Sequence, residues 1–204
     1  MKKLIIFILL SVMFISCKKE RMFHITATNV GTGQPMPYLH YFVVELNSGT
    51  FGEKSKTVRE GDLDANGEAN FSMKIKNTTH GIRVVQPENN CYVENLSLTF
   101  GSKEDFYADF KFAPCAFLQQ AITNINCESV NDKIEMRFSR FIDNNYGSPW
   151  IILGCEGYVP SHYSQVPMGN YYFKWIVTRS GVSNTFYDTI YMEENSYTDY
   201  ELNY

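Results

Sequence analysis

The chain has 204 residues, with 18 basic against 22 acidic side chains and a hydrophobic fraction of 44%. A formal net charge of −4 argues against nucleic acid as a partner, which wants a basic face, and against binding anionic headgroups by charge alone. The length suits one large domain or two small ones.

Lys2 and Lys3 precede residues 4–15, a run that is apolar except for Ser11. Twelve residues are too few to span a bilayer, which needs about 20, so the spacing predicts a signal peptide over residues 1–16 and not a membrane helix. Ser16-Cys17 directly after this run resembles the lipobox of bacterial lipoproteins. The resemblance implies a lipidated Cys17 at the mature N-terminus, with residues 17–21 as a short tether. It also implies the membrane as a partner through that anchor, on the periplasmic or cell-surface face of the outer membrane. An ordinary secretory signal is the alternative. Loss of Lys2 and Lys3 leaves 16 basic and 22 acidic residues, a net of −6.

Beyond the tether, helical periodicity is almost absent. Alternating or short apolar runs, broken by Gly, Asn, Asp and Ser, predict strands near 22–30, 38–46, 54–60, 68–76, 81–86, 92–100 and 106–112. After Pro114 a second series is expected near 116–126, 132–141, 150–155, 170–178, 184–192 and 197–204. Closely spaced turns among many Tyr, Phe, Val and Ile indicate an all-β chain of two tandem small β-sandwich domains, transthyretin-like or Ig-like. The expected domains are 22–112 and 113–204, with the boundary near Ala113. A faint echo supports two domains: Tyr107-Ala108-Asp109-Phe110 and Tyr197-Thr198-Asp199-Tyr200 both close their segments.

Four cysteines follow Cys17: Cys91, Cys115, Cys127 and Cys155. Their spacings of 23, 11 and 27 intervening residues match no zinc pattern, and an even number outside the cytoplasm favours disulfides. A hairpin centred on Lys103 would bring Cys91 opposite Cys115, within bridging distance. Cys127 and Cys155 then pair by elimination. A second hairpin centred on Gly181 would set Lys174 opposite Asp188, with Tyr171, Phe173, Trp175 and Val177 on the other face.

The stretch GDLDANGEANFSM, residues 61–73, reads in two ways. Asp62, Asp64, Asn66 and Gly67 occupy the first calcium-ligand positions of an EF-hand loop. The twelfth position, however, is Met73, which offers no oxygen, and the flanks alternate as strands. A hairpin turn explains every residue, because Asn66-Gly67 tolerates positive φ and Phe71, Met73 and Ile75 fall on one face. No metal is expected.

Together with TGQPMP at Thr32 to Pro37, the DANGEANFSM stretch resembles the carboxypeptidase regulatory-like domains, which have a transthyretin-like, or prealbumin-like, β-sandwich. The resemblance covers roughly residues 22–112. It implies a non-catalytic module used for attachment, assembly or ligand contact. The second half resembles small β-domains of Bacteroidota-like lipoproteins in texture.

Catalytic motifs are missing: there is no GxSxG elbow, HExxH or Walker loop. His24, His40, His80 and His162 are scattered, and Ser161-His162 has no acid partner in sequence. Cys115 or Cys155 as nucleophiles would forgo the disulfides. The expectation is no enzyme and no cofactor. What remains is an aromatic loop, 142–169, carrying Tyr146, Trp150, Tyr158 and Tyr163 as candidate contacts for a glycan or protein, although Trp150 heads WIIL and also reads as core. Asp188-Thr189-Ile190 matches a short O-glycosylation signal of Bacteroidota. The function read from the sequence is therefore a membrane-anchored, non-catalytic lipoprotein that binds or scaffolds in the cell envelope. Its partner is an envelope protein or a glycan, and the alternative is a carbohydrate-binding module built on the aromatic loop.

Overall fold

A computed structural model describes residues 19–49, 52–140 and 146–204. The expected signal segment 1–16 and the expected lipidation site Cys17 lie outside the described residues. All regular structure described is β: β1 Lys19–Asn29, β2 Gln34–Pro35, β3 His40–Gly49, β4 Gly52–Asp62, β5 Glu68–Ile75, β6 Thr79–Val84, β7 Asn90–Val93, β8 Leu98–Phe100, β9 Phe106–Thr123, β10 Lys133–Arg140, β11 Trp150–Leu153, β12 Ser164–Pro167, β13 Gly169–Arg179, β14 Val182–Met192 and β15 Tyr197–Asn203.

The chain divides into two compact units. The first comprises the described parts of Met1–Ala27, Met36–Val85 and Asn95–Phe110. The second comprises Thr28–Pro35, Gln86–Glu94 and the described parts of Lys111–Tyr204. Residues 28–35 and 86–94, which the sequence reading assigns to the first segment, thus belong to the second unit, and both β1 and β9 contribute residues to each.

In the first unit, β5 pairs antiparallel with β1, and a second sheet runs in the order β4-β3-β6-β8. Alternation along the strands sends Phe23 and Ile25 from β1, Tyr41 and Val43 from β3, and Ile82 and Val84 from β6 into one core. Phe71 stacks on Phe23 at 5.0 Å and on Tyr41 at 5.6 Å, with the Arg59 guanidinium 4.0 Å over its ring. Glu45 is buried but ion-paired to Lys76 at 3.2 Å, and that hydrogen-bonded ammonium holds its carboxyl below the usual range.

The second unit is built on the later part of β9. β12 pairs antiparallel with it from Ser164↔Leu118 to Pro167↔Cys115, and β15 pairs parallel from Tyr197↔Phe117 to Asn203↔Thr123. The other sheet runs β11-β10-β13-β14. Between them, Leu118, Ile122, Ile134, Met136, Phe173 and Leu202 form the buried core, and Phe173 stacks on Tyr200 at 4.2 Å.

Four sequence expectations change here. Cys91 does bond to Cys115, with Cα atoms 4.9 Å apart, but not through a hairpin about Lys103. β8 pairs with β6 instead, and the cysteine meets its partner because β7 pairs with β9 through a bulge between Asn90 and Tyr92. Pro114 does not end a strand. It has no N–H to offer, yet β9 runs through it opposite Asn90 at that irregularity, where such a loss is tolerated.

The turn at Asp64 is a turn, as expected, but it joins β4 of one sheet to β5 of another and makes no hairpin. Asp64 Oδ1 accepts the N–H groups of Asn66 (2.8 Å) and Glu68 (3.0 Å), and Gly67 takes φ 69°. Finally, the β13–β14 loop is Ser180-Gly181, with φ of 47° and 78°, so Lys174 faces Tyr187 and Phe173 faces Asp188. Two central residues at positive φ match the strand twist, which is why this turn wins over a longer one.

Candidate functional site

The aromatic loop does not gather its candidates in one place. Trp150 opens β11 half-buried against the core, and its ring meets Tyr158 edge-on at 4.4 Å. Tyr158 is held by a two-way backbone bridge to Ile122, with bonds of 2.8 and 2.7 Å. The pair borders a cavity of about 370 Å³, with Phe138, Val166 and Tyr171 among its walls. Tyr163 lies elsewhere: its hydroxyl donates to Asp199 at 2.7 Å and its ring packs edge-on to Tyr197 at 5.1 Å. Accepting that hydrogen, the Asp199 carboxylate holds Tyr163 above the ordinary phenol range. Tyr146 is exposed at the first described position after residue 145.

Each histidine has a local partner. His24 Nδ1 meets Asn70 Oδ1, His40 Nδ1 meets Asp62 at 2.7 Å, and buried His80 meets the Thr78 carbonyl at 3.0 Å. Ser161 Oγ and His162 Nδ1 are 3.2 Å apart on an exposed loop. Among the described residues, no group of three or more His, Cys, Asp or Glu side chains could hold a metal ion. Cys127 is bonded to Cys155, with Cα atoms 5.2 Å apart, so neither they nor Cys91 and Cys115 are free thiols.

A second cleft was not foreseen from the sequence. A cavity of about 500 Å³ lies between the inner face of the β13–β14 hairpin and β15. Trp175 stacks on Phe186 across the hairpin at 6.0 Å and forms one wall, while Leu202 and Tyr204 form the other. Arg179 stands at the end of the cleft. It donates from Nη2 to Asn124 at 3.1 Å, lies 3.6 Å from Asp132, and sits 5.7 Å from the Tyr204 ring.

Asp132 is fully buried, and its Oδ2 accepts the Glu128 N–H at 2.9 Å. That bond, with those from Asn124 and Ser129 and the charge of Arg179, keeps its carboxyl below the usual range against the cost of burial. The network fixes the 127–132 loop under the cleft. On β15, burial pushes the Tyr200 hydroxyl well above the ordinary phenol value, and the Asp188 carboxylate adds to the shift.

Seen as a surface, β14 is the unusual element. Residues 182–189 are all exposed, on both faces of the strand, with Val182 63%, Phe186 45% and Tyr187 66% accessible. Lys174 lies 5.8 Å from the Tyr187 ring on the outer face. The sequence signal was partial: the outer face sets Tyr187 and Tyr191 among Ser183, Thr185 and Thr189, so only its tyrosines mark it as a contact surface. The alternation reads as an ordinary half-buried strand, whereas residues 182–189 are exposed on both faces.

No protein-family model matches the chain, and no curated protein matches it. Among solved structures it is similar to the Bacillus anthracis TIE protein, at 16% identity and a TM-score of 0.35, covering 91% of this chain and 34% of that one. It is also similar to GBS52, the minor pilin of Streptococcus agalactiae, at 10% identity and a TM-score of 0.35, covering 90% and 94% of the two chains. A third likeness is to the shaft pilin SpaA of Lactobacillus rhamnosus GG, at 9% identity and a TM-score of 0.36, covering 91% and 98%. The chain thus spans 34% of the first of these proteins.

Proposed function

We propose that the chain is an outer-membrane lipoprotein, anchored through Cys17, that acts as a non-catalytic binding or scaffolding module of the cell envelope and meets its partner through the β13–β14 hairpin. The observation that carries this reading is the exposure of aromatic and aliphatic side chains along β14, where Val182, Phe186, Tyr187 and Tyr191 are all open to solvent. Rigid aromatic side chains on a sheet contribute large contact area at little entropic cost, as contact surfaces require. The lipobox-like Ser16-Cys17 supports the anchor: each buried methylene is worth about 0.8 kcal/mol, and two or three acyl chains together hold a protein stably. The resemblance to carboxypeptidase regulatory-like domains supports a module without chemistry of its own.

A carbohydrate-binding role for the aromatic loop is the second reading, supported by Trp150 and Tyr158 at the mouth of their cavity. Capture of the lipidated full chain from its own envelope tests the two together. The binding reading expects a protein complex that is lost with Phe186→Ala/Tyr187→Ala and kept with Trp150→Ala. Loss with Trp150→Ala alone, with a glycan as the captured species, would replace it by the second reading.

A further inference from the structure

Every described lysine of the first unit lies near one end of it. β1 starts at that end and β5 finishes there, since Lys19 pairs with Ile75. In the other sheet β6 starts and β3 finishes there, with Thr79 opposite Leu46, and β4 starts beside β3, with Lys54 opposite Asn47. β8 also finishes there, with Phe100 opposite His80. Two contacts tie the sheets together at this end: Lys76 reaches Glu45 at 3.2 Å, and Phe100 packs on Phe23 at 5.6 Å. The chain leaves the unit after Ala27 and after Val85, at the other ends of β1 and β6.

Lys54, Lys56, Lys74, Lys76 and Lys103 are exposed here, and Arg21 is half-buried. With Lys18, which precedes β1, the segments that meet at this end (18–21, 45–56, 74–80 and 100–105) carry eight basic and five acidic residues, a net of +3. The remaining residues after Ser16 carry eight basic and 17 acidic, a net of −9. Of the five acids, Glu45 is buried and paired with Lys76, and Asp105 Oδ1 accepts the Met22 N–H at 2.9 Å. The charge of the whole chain argues against headgroup binding, but the fold reverses its sign at this end.

We propose that this end of the first unit lies against the anionic headgroups of the membrane that holds the anchor, its lysines and Arg21 meeting lipid phosphates. The inference rests on the reading of Cys17 as lipidated and adds to it a second, electrostatic contact with the same membrane.

The occupant is a lipid surface because the anchor brings one to this end. β1 begins at Lys19, so Lys18 alone separates it from Cys17, and the free tether is shorter than the expected 17–21. Two extended residues reach about 7 Å, within the Debye length of about 8 Å at physiological ionic strength. Basic residues held that close to an anionic leaflet are attracted to it, whereas the same residues on an unanchored chain of net −6 are opposed by the remainder. The two signs together orient the chain, basic end toward the membrane and acidic remainder away. His24 and Tyr107, with rings 5.9 Å apart, stand five residues along β1 from Lys19, about 17 Å from this end and clear of the contact.

Amine labelling of the acylated full chain, purified from membranes and reconstituted into vesicles, tests this. Phosphatidylcholine vesicles are compared with vesicles of about one-third phosphatidylglycerol, and the labelled lysines are read by peptide mass mapping. At low salt, Lys54, Lys74 and Lys103 are expected to label at least fivefold more slowly on the anionic vesicles, with Lys133 and Lys174 unchanged. High salt is expected to remove the difference. The mass of the Cys17 peptide is measured in the same digest. Absence of acyl chains on it would overturn the anchor reading and this proposal together. An acylated chain whose Lys54, Lys74 and Lys103 label equally on both vesicles, or are slowed no more than Lys133 and Lys174, would overturn this proposal and leave the anchor standing. A difference that survives high salt would overturn it likewise.

Discussion

Asp132 carries the clearest pH dependence. Its carboxylate is fully buried, accepts hydrogen bonds from Glu128, Asn124 and Ser129, and faces Arg179. Its folded pKa is depressed, so its stabilisation is complete above the unfolded value of about 3.9 and is lost as pH falls through the lower folded value. Melting of the chain is therefore expected to change little between pH 7 and 5 and to fall below about pH 4. Asp132→Asn should lower the melting temperature at pH 7 by several degrees and flatten the acid limb. An unchanged acid limb in that variant would remove Asp132 from the account. Asp64 offers a simpler test. Its Oδ1 serves two backbone N–H groups, so Asp64→Ala should cost roughly 1–2 kcal/mol, read by denaturant unfolding. Calcium should leave the melting temperature of the wild-type chain unchanged, and a rise of several degrees would mean that the Asp62, Asp64 and Asn66 oxygens form a site.

At the scale of elements, the disulfides tie the irregular segments of the second unit to its strands. Cys91–Cys115 holds the 86–94 segment on β9, and Cys127–Cys155 joins the loop before β10 to the end of β11. Loops of 24 and 28 residues lead to an expected loss of about 3 kcal/mol for each bridge replaced by a serine pair. Non-reducing peptide mapping that links Cys91 to Cys127 would contradict the topology. These elements also show what local sequence can convey. Strand positions were legible because alternation and turn residues are local: β3, β5, β10, β13 and β15 lie within a few residues of their expected places. Sheet membership was not. Nothing in Asp64 to Glu68 says that β4 and β5 join different sheets, and nothing near Lys103 says that β8 pairs with β6. Those choices depend on distant strands competing for the same edge. The cleft beneath Trp175 was hidden for the same reason, since Leu202 and Tyr204 reach it from β15, which lies beside β9.

For the whole molecule, the proposal combines an anchor at one end of the sequence with an open hairpin near the other. The anchor is tested by Cys17→Ala, which is expected to move the protein out of the membrane fraction while both disulfides still form. Retention of that variant in membrane pellets would contradict the lipoprotein reading. Where the molecule makes its contacts is the central claim, and hydroxyl-radical footprinting tests it most directly, comparing the full chain in its native envelope with dilute purified chain. Tyr172, Tyr187 and Tyr191 on β13 and β14 are exposed, and so is Tyr107, 79% accessible in the first unit. The account predicts that the three hairpin tyrosines lose reactivity in the envelope while Tyr107 keeps its own. Unchanged reactivity at Tyr187 and Tyr191, with protection at Tyr107, would contradict it.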